Sequence, residues 1–405
     1  MLGEPKKQFS LTRAALSTCG AKKQFLISLI ATLAVASGRS TPAAAAPHPS
    51  PYAAWKHGPS ADPGFFPLAV WRQTAEKAKD YQAIGINTYM GLWYGPTEQQ
   101  LAALKQAGMR VIYDADAPGW QQHQDDPIIC GRMRGDEPDN AQAEEGGGYG
   151  PAIPPQAIVD TYARLRRQDP TRPVLLNLGQ QVANDEWSGR GCEITAYPEY
   201  VQGADIISFD VYPVVNLHRP DGENYLWYVA KGLDRLRQWT GGKKIIWNTL
   251  ECSRYNDKRA TPHEVRAEAW MSIVHGSQGI MWFAFIEDGV LADPEMREAV
   301  KGVNEQITAL ARVLNSPTLE NGAVVTSTNP LVPVDLLVKQ FGGATYVFAV
   351  GMRNAETSGR FRLPGLENGT AEVLGERRTI AVQGREFQDT FAPYDVHIYK
   401  IVGSK

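Results

Sequence analysis

Leu68-Ala69-Val70-Trp71 and Ile86-Asn87-Thr88-Tyr89 are two short apolar runs with an amphipathic stretch over 74–84 between them. A strand-length run, a helix-length stretch and a second strand make a βαβ unit, and the order repeats along the chain. The further strands read as Arg110-Val111-Ile112-Tyr113, 129–135, Val174-Leu175-Leu176-Asn177, Ile206-Ile207-Ser208-Phe209-Asp210, Lys244-Ile245-Ile246-Trp247-Asn248 and Gly279-Ile280-Met281-Trp282. Amphipathic stretches over 97–107, 155–168, 226–239 and 262–275 separate them, each closing near Gly or Pro. The connections between the third and fourth strands and between the fifth and sixth are irregular. Eight strands over roughly 220 residues predict an α/β fold, a (β/α)8 TIM barrel, which takes about 250 residues. An open doubly wound sheet would carry Gly-x-Gly-x-x-Gly after its first strand, and the chain has none there.

A last helix over 293–314 leads to Asn315-Ser316-Pro317, and the period then changes to alternation over 334–339, 345–350, 359–363, 371–374 and 396–401. Short alternating runs divided by Gly and Pro predict a small antiparallel β-sandwich. The expected organisation is a leader and flexible lead-in over 1–46, a barrel over 52–316 and a C-terminal sandwich over 317–405.

The 405 residues carry 41 basic and 44 acidic side chains, a net charge of −3. No cationic surplus exists to condense onto nucleic acid or an anionic bilayer, so neither is an expected partner. At the N terminus, Lys22-Lys23 precedes an apolar run over 25–36 and then small residues, the order of a secretory signal peptide. That run is about a dozen residues, short of the roughly 20 that span a bilayer. A secreted or periplasmic protein with no membrane anchor after cleavage is expected. Cleavage would leave Cys130, Cys192 and Cys252, enough for one bridge at most. If one forms, Cys192 to Cys252 is the feasible pair, since both follow strand ends; three free thiols are the equal alternative. Neither cysteines nor histidines follow a metal-ligand spacing, so no metal and no cofactor is expected.

In such a barrel the reactive side chains project from the C-terminal strand ends. Strand four ends Gly135-Asp136-Glu137-Pro138, and strand seven runs on through Thr249-Leu250-Glu251-Cys252. Carboxylates at those two ends face each other across the mouth, as acid and nucleophile must in a retaining glycosidase, about 5 to 5.5 Å apart. Singly, each Glu could equally be a helix cap or a partner for Arg.

This pattern resembles clan A of the glycoside hydrolases, retaining enzymes on a (β/α)8 barrel with an acid/base Glu ending strand four, usually in Asn-Glu-Pro, and a nucleophile Glu ending strand seven. The resemblance implies Glu137 as acid/base and Glu251 as nucleophile. It also implies a sugar-binding Trp282 at the end of strand eight and Tyr212 after strand six. One departure stands out: Asp136 occupies the place of the family's Asn, whose amide donates to the sugar 2-hydroxyl, whereas an ionised Asp only accepts. Trp71, Tyr89, Trp93, Asp114, Asn177 and Asp210 complete the expected substrate-binding set. Trp120 and Trp187 are further flat faces on which sugars could pack. A carbohydrate is therefore the expected partner. The function implied is hydrolysis of β-glycosidic bonds by double displacement; the alternative is a carbohydrate-binding protein on a degenerate hydrolase barrel.

Overall fold

The computed structural model describes residues 50–115, 119–187, 191–217, 225–285 and 287–404. The leader expected over 1–46 lies outside the described residues. Eight parallel strands form the barrel in chain order: Leu68–Trp71, Thr88–Met90, Arg110–Asp114, Ile129–Asp136, Val174–Leu178, Ile206–Phe209, a seventh in two runs (Ile245–Ile246 and Asn248–Glu251), and Ile280–Phe283. Strand eight closes the ring by pairing Ile280 with both Leu68 and Asn248. Strands six and seven meet through Ile206↔Ile245 and Ile207↔Ile246, then by a single bridge from Asp210 to Thr249.

Local chemistry explains the helices. Glu98–Gln106 and Pro262–Val274 each start with a capping box, Thr97 with Gln100 and Thr261 with Glu264, and the second has Pro at its first position. Asp293 caps Pro294–Leu314 through the Met296 amide. The stretch expected as one helix over 74–84 is instead a 3-10 turn, Ala75–Lys77, running into the short helix Ala78–Ala83, because Thr74 makes no side-chain cap.

Alternation within the strands separates two cores. Ala69, Met90, Ile112, Cys130, Met133, Leu175, Ile206, Ile245 and Met281 fill the barrel interior. Their neighbours in sequence pack outward against the helices; Phe209 lies so close to the helix Tyr228–Thr240 that only Gly fits at position 232, where a Cβ would sit 2.2 Å from the ring. Tyr52, just before the first strand, plugs the bottom. Its hydroxyl donates to the Gln278 carbonyl (2.7 Å) and accepts from the Trp247 indole (2.8 Å).

The C-terminal sandwich has a five-stranded sheet (Val334–Phe341, Ala344–Gly351, Val396–Gly403, Gly369–Val373, Arg378–Val382) and a three-stranded one (Val324–Ser327, Thr357–Arg362, Glu386–Phe391). Three of these strands, Val324–Ser327, Arg378–Val382 and Glu386–Phe391, are additional to the five read from the alternation. They are edge or polar strands, and their exposed faces dilute the apolar signal. Phe348 stacks on Trp270 of a barrel helix at 5.5 Å, and Val350, Val396 and Ile398 join the barrel's outer core. Among the described residues, no helix is long and apolar enough to cross a membrane.

Tyr52→Phe removes the one group that satisfies the buried Trp247 N–H. A loss of about 1–3 kcal/mol is expected, read as a lower midpoint in urea unfolding with unchanged slope; an unchanged midpoint would show that the plug is not held through this hydroxyl.

Candidate active site

The mouth of the barrel is shaped by an irregularity in strand four. Met133 pairs with Leu175, but Asp136 pairs with Asn177, so strand four contains one residue more than strand five between these points. Such a bulge reverses the inside–outside phase. Met133 faces the interior, and regular alternation would place Gly135 inward and Asp136 outward; the bulge brings Asp136 over Asn177 instead. Gly135 and Glu137 then adopt φ of +58° and +42°. For Glu137 this is a costly conformation, and such strain concentrates at functional sites. Both carboxylates consequently line one cleft.

That cleft encloses about 330 Å³, with Asp136, Glu137, Asn177, Asp210 and Thr249 among its polar lining and Trp71, Trp187, Tyr212, Tyr255, Phe283 and Phe285 as aromatic walls. Larger cavities exist elsewhere, but they do not lie at the C-terminal strand ends where barrel chemistry is carried. Asn177 holds the floor together. Its Nδ2 donates to Asp136 Oδ1 (3.0 Å), and its Oδ1 accepts from Ser208 (2.7 Å) and Thr249 (3.3 Å). Its backbone oxygen accepts the Glu137 N–H (3.1 Å). Asn140 Nδ2 donates to Glu137 Oε2 (2.5 Å), and Trp187 donates to the other end of the same Asn140 amide (3.4 Å).

Asp210 accepts from the Tyr212 hydroxyl (2.7 Å) through Oδ2, and its Oδ1 is buried with no hydrogen-bond partner. Burial and the neighbouring Glu137 carboxyl push Asp210 well above the usual range. The nearby charge and the loss of water both disfavour ionisation of Asp210. Asp136 is exposed to the cleft, yet the surrounding protein raises it to about 6, against the lowering hydrogen bond from Asn177.

Glu251 is not brought to this cleft, contrary to the expectation for strand seven. It has no exposure, and its two oxygens accept the Val214 and Val215 amides (2.8 and 2.9 Å), which follow strand six. Its third neighbour is Glu268, fully buried on the helix Pro262–Val274. Strand seven has by then parted from strand six after the single Asp210–Thr249 bridge, so the carboxyl turns towards the loop rather than across the mouth. Desolvation raises Glu251 to about 7 and Glu268 well above its usual range, the latter reinforced by the Glu251 charge.

The remaining expected residues divide. Trp71 and Tyr212 line the cleft, with Tyr212 stacked on Phe283 at 5.1 Å. Trp282 does not: its indole donates to Asn304 of the last helix (3.0 Å), because Met281 and Phe283 take the inward phase of strand eight. Tyr89 likewise faces outward and donates to the Thr74 carbonyl (3.1 Å). Asp114 binds Arg72 (2.6 Å), whose guanidinium lies over both Trp71 and Trp93, so Trp93 offers that face to an arginine. Trp120 carries Arg132 at 4.3 Å and is a packing residue. Tyr255, Phe283 and Phe285 were not anticipated; Phe283 follows from the strand-eight phase, while the other two come from loops without periodicity. Cys130, Cys192 and Cys252 are all free, so the Cys192–Cys252 bridge is absent. Cys252 does face outward, into the core behind the strand. Among the described residues, no group of acidic, His and Cys side chains is arranged to hold a metal.

No family model and no curated protein matches the chain. Its fold is similar to that of the family GH42 β-galactosidase Gan42B from G. stearothermophilus, with a TM-score of 0.55 at 9% identity, covering 85% of this chain and 100% of that one. It is also similar to the noncanonic maltogenic α-amylase AmyB from Thermotoga neapolitana, with a TM-score of 0.50 at 10% identity, again covering 85% and 100%. At such identities the likeness is one of fold, and the barrel-plus-sandwich architecture expected from the clan A resemblance is the architecture found.

The buried Glu251–Glu268 pair sets a pH dependence. Both groups hold protons in the folded chain at pH values where the unfolded chain, near 4.5, has released them. The folded state therefore loses stability as pH rises from about 4.5 through 7. Glu268→Gln keeps the volume and removes one titrating group, so the fall in Tm between about pH 5 and 8 should shrink; parallel Tm curves for variant and parent would count against a buried pair.

Proposed function

We propose that the chain is a glycosidase that uses Glu137 as its acid/base. The observation that carries this reading is the placing of the neighbouring Glu137 and Asp210 carboxyls in one aromatic-walled cleft on the C-terminal face of the barrel. A leaving sugar oxygen needs a proton near neutral pH, and Asp210, whose burial favours its protonated form, is a source from which a neighbouring carboxyl can be supplied. Glu137 is the partly exposed member and would deliver it. Asp210 is buried and acts through Glu137, as a positioning residue. The aromatic walls suit the apolar faces of sugar rings.

Retention of anomeric configuration belongs to this reading, but the Glu137–Glu251 pairing behind it has lost its geometric support, because Glu251 lies outside the cleft lining. That same withdrawal favours a second reading, a carbohydrate-binding protein on a degenerate barrel. Export is also part of the proposal and rests on the basic, apolar and small-residue order over 22–46.

A panel of aryl glycosides separates the two readings: turnover supports a glycosidase, while sugar binding without turnover supports the binding protein. Glu137→Gln is expected to lower kcat by about a thousandfold or more on substrates with poor leaving groups, and by less on activated aryl glycosides, which need little protonation. Equal loss on every leaving group would remove Glu137 from the acid role. Proton NMR of the first-formed product should show the configuration kept, and an inverted product would exclude retention.

A further inference from the structure

Among the described residues, the cleft contains the acid of the glycosidase reading but no carboxylate placed to act with it. A carboxylate that attacks the anomeric carbon stands about 5 to 5.5 Å from the acid, and one that activates water about 6.5 to 9.5 Å away. Asp210 neighbours the Glu137 carboxyl, too near for either task. Glu251 is fully buried with both oxygens on backbone amides. Among the described carboxylates of the cleft only Asp136 is left, and it adjoins Glu137 in the chain rather than facing it. On the described residues, the attacking atom comes from the substrate.

Asp136 says which substrate. The strand-four bulge carries it over the cleft, and Asn177 anchors its Oδ1 while the residue stays exposed. Where the clan A pattern has an amide that donates to a sugar 2-hydroxyl, this chain presents an ionisable acceptor. The C2 substituent that always donates is an N–H. We infer that the substrate is a β-linked 2-acetamido-2-deoxy sugar whose own carbonyl oxygen attacks C1, with Asp136 accepting the acetamido N–H; this rests on the glycosidase reading above. The volume of about 330 Å³ is at the small end for a ligand site and matches one substituted ring better than a long chain.

The chemistry balances without a co-reactant. The acetamido oxygen bonds to C1 as the glycosidic C1–O bond breaks, and the departing electron pair takes the proton from Glu137. The acetamido group becomes a cyclic oxazolinium, its positive N–H held by the Asp136 carboxylate. Water then attacks C1, the carbonyl oxygen leaves with its electron pair to restore the amide, and the water proton returns to Glu137. Attack from the face opposite the leaving group requires the acetamido and the aglycone to be trans, hence β for gluco- and galacto-configured rings. Two displacements at C1 keep the configuration.

The test compares 4-nitrophenyl β-glycosides of glucose and galactose with their 2-acetamido-2-deoxy counterparts on the exported chain. An advantage of about a thousandfold in kcat/KM for the acetamido substrates is expected, with kcat falling at least about tenfold from acetamido to trifluoroacetamido as the carbonyl oxygen becomes a poorer nucleophile. Asp136→Asn, folded by circular dichroism, should lose about a hundredfold or more on the acetamido substrate, and a sugar thiazoline mimicking the oxazolinium should bind the parent and raise its Tm. Turnover of 2-hydroxy glycosides at equal rates, indifference to fluorination, full activity of Asp136→Asn, or a covalent 2-fluoroglycosyl adduct on any carboxylate would each overturn the inference and leave the glycosidase standing. Failure to cleave either class or to bind the thiazoline would remove both.

Discussion

The side chain of Asn177 is the constraint on which the site depends. From the fifth strand it reaches Asp136 on the fourth, Ser208 on the sixth and Thr249 on the seventh, while its backbone oxygen takes the Glu137 amide. It is buried, so each of these bonds forms in a medium where a missing partner is costly. Four strands are thereby registered to one another at the height where the carboxylates emerge. The bulge in strand four would otherwise leave its last residues with a choice of orientation.

Two carboxyl pairs flank this point and use the same physics differently. In each, burial and a like charge favour a retained proton. Glu137 with Asp210 opens to the cleft. Glu251 with Glu268 is sealed, and its bonds to the Val214 and Val215 amides tie the loop that follows Tyr212 to the helix Pro262–Val274. A carboxylate can therefore sit on the strand that the clan A pattern assigns to the nucleophile and serve the architecture.

Much of the barrel was legible because its strands are short, apolar and divided by capped helices, so Val174-Leu175-Leu176-Asn177 and Pro262–Val274 stand out from sequence alone. Inward and outward phase was harder to read. A barrel strand is buried on both faces, and Ile280-Met281-Trp282-Phe283 offers apolar residues to each. Nothing in that run tells that Phe283 meets the cleft while Trp282 meets Asn304; the neighbouring helix decides it. The same ambiguity sent Tyr89 outward against expectation.

Sequence alone determined the number and order of barrel strands, five of the eight trailing antiparallel strands and the presence of Asp136-Glu137 at the end of strand four, because periodicity, capping residues and strand-end carboxylates are local properties. The tertiary structure decided which carboxylates meet. A one-residue bulge turned Asp136 inward, a bridge between Asp210 and Thr249 ended the contact of strands six and seven, and Glu251 followed the loop amides away from the mouth. These are registrations between segments distant in the chain, and a shift of one residue in any of them reverses which face a side chain occupies.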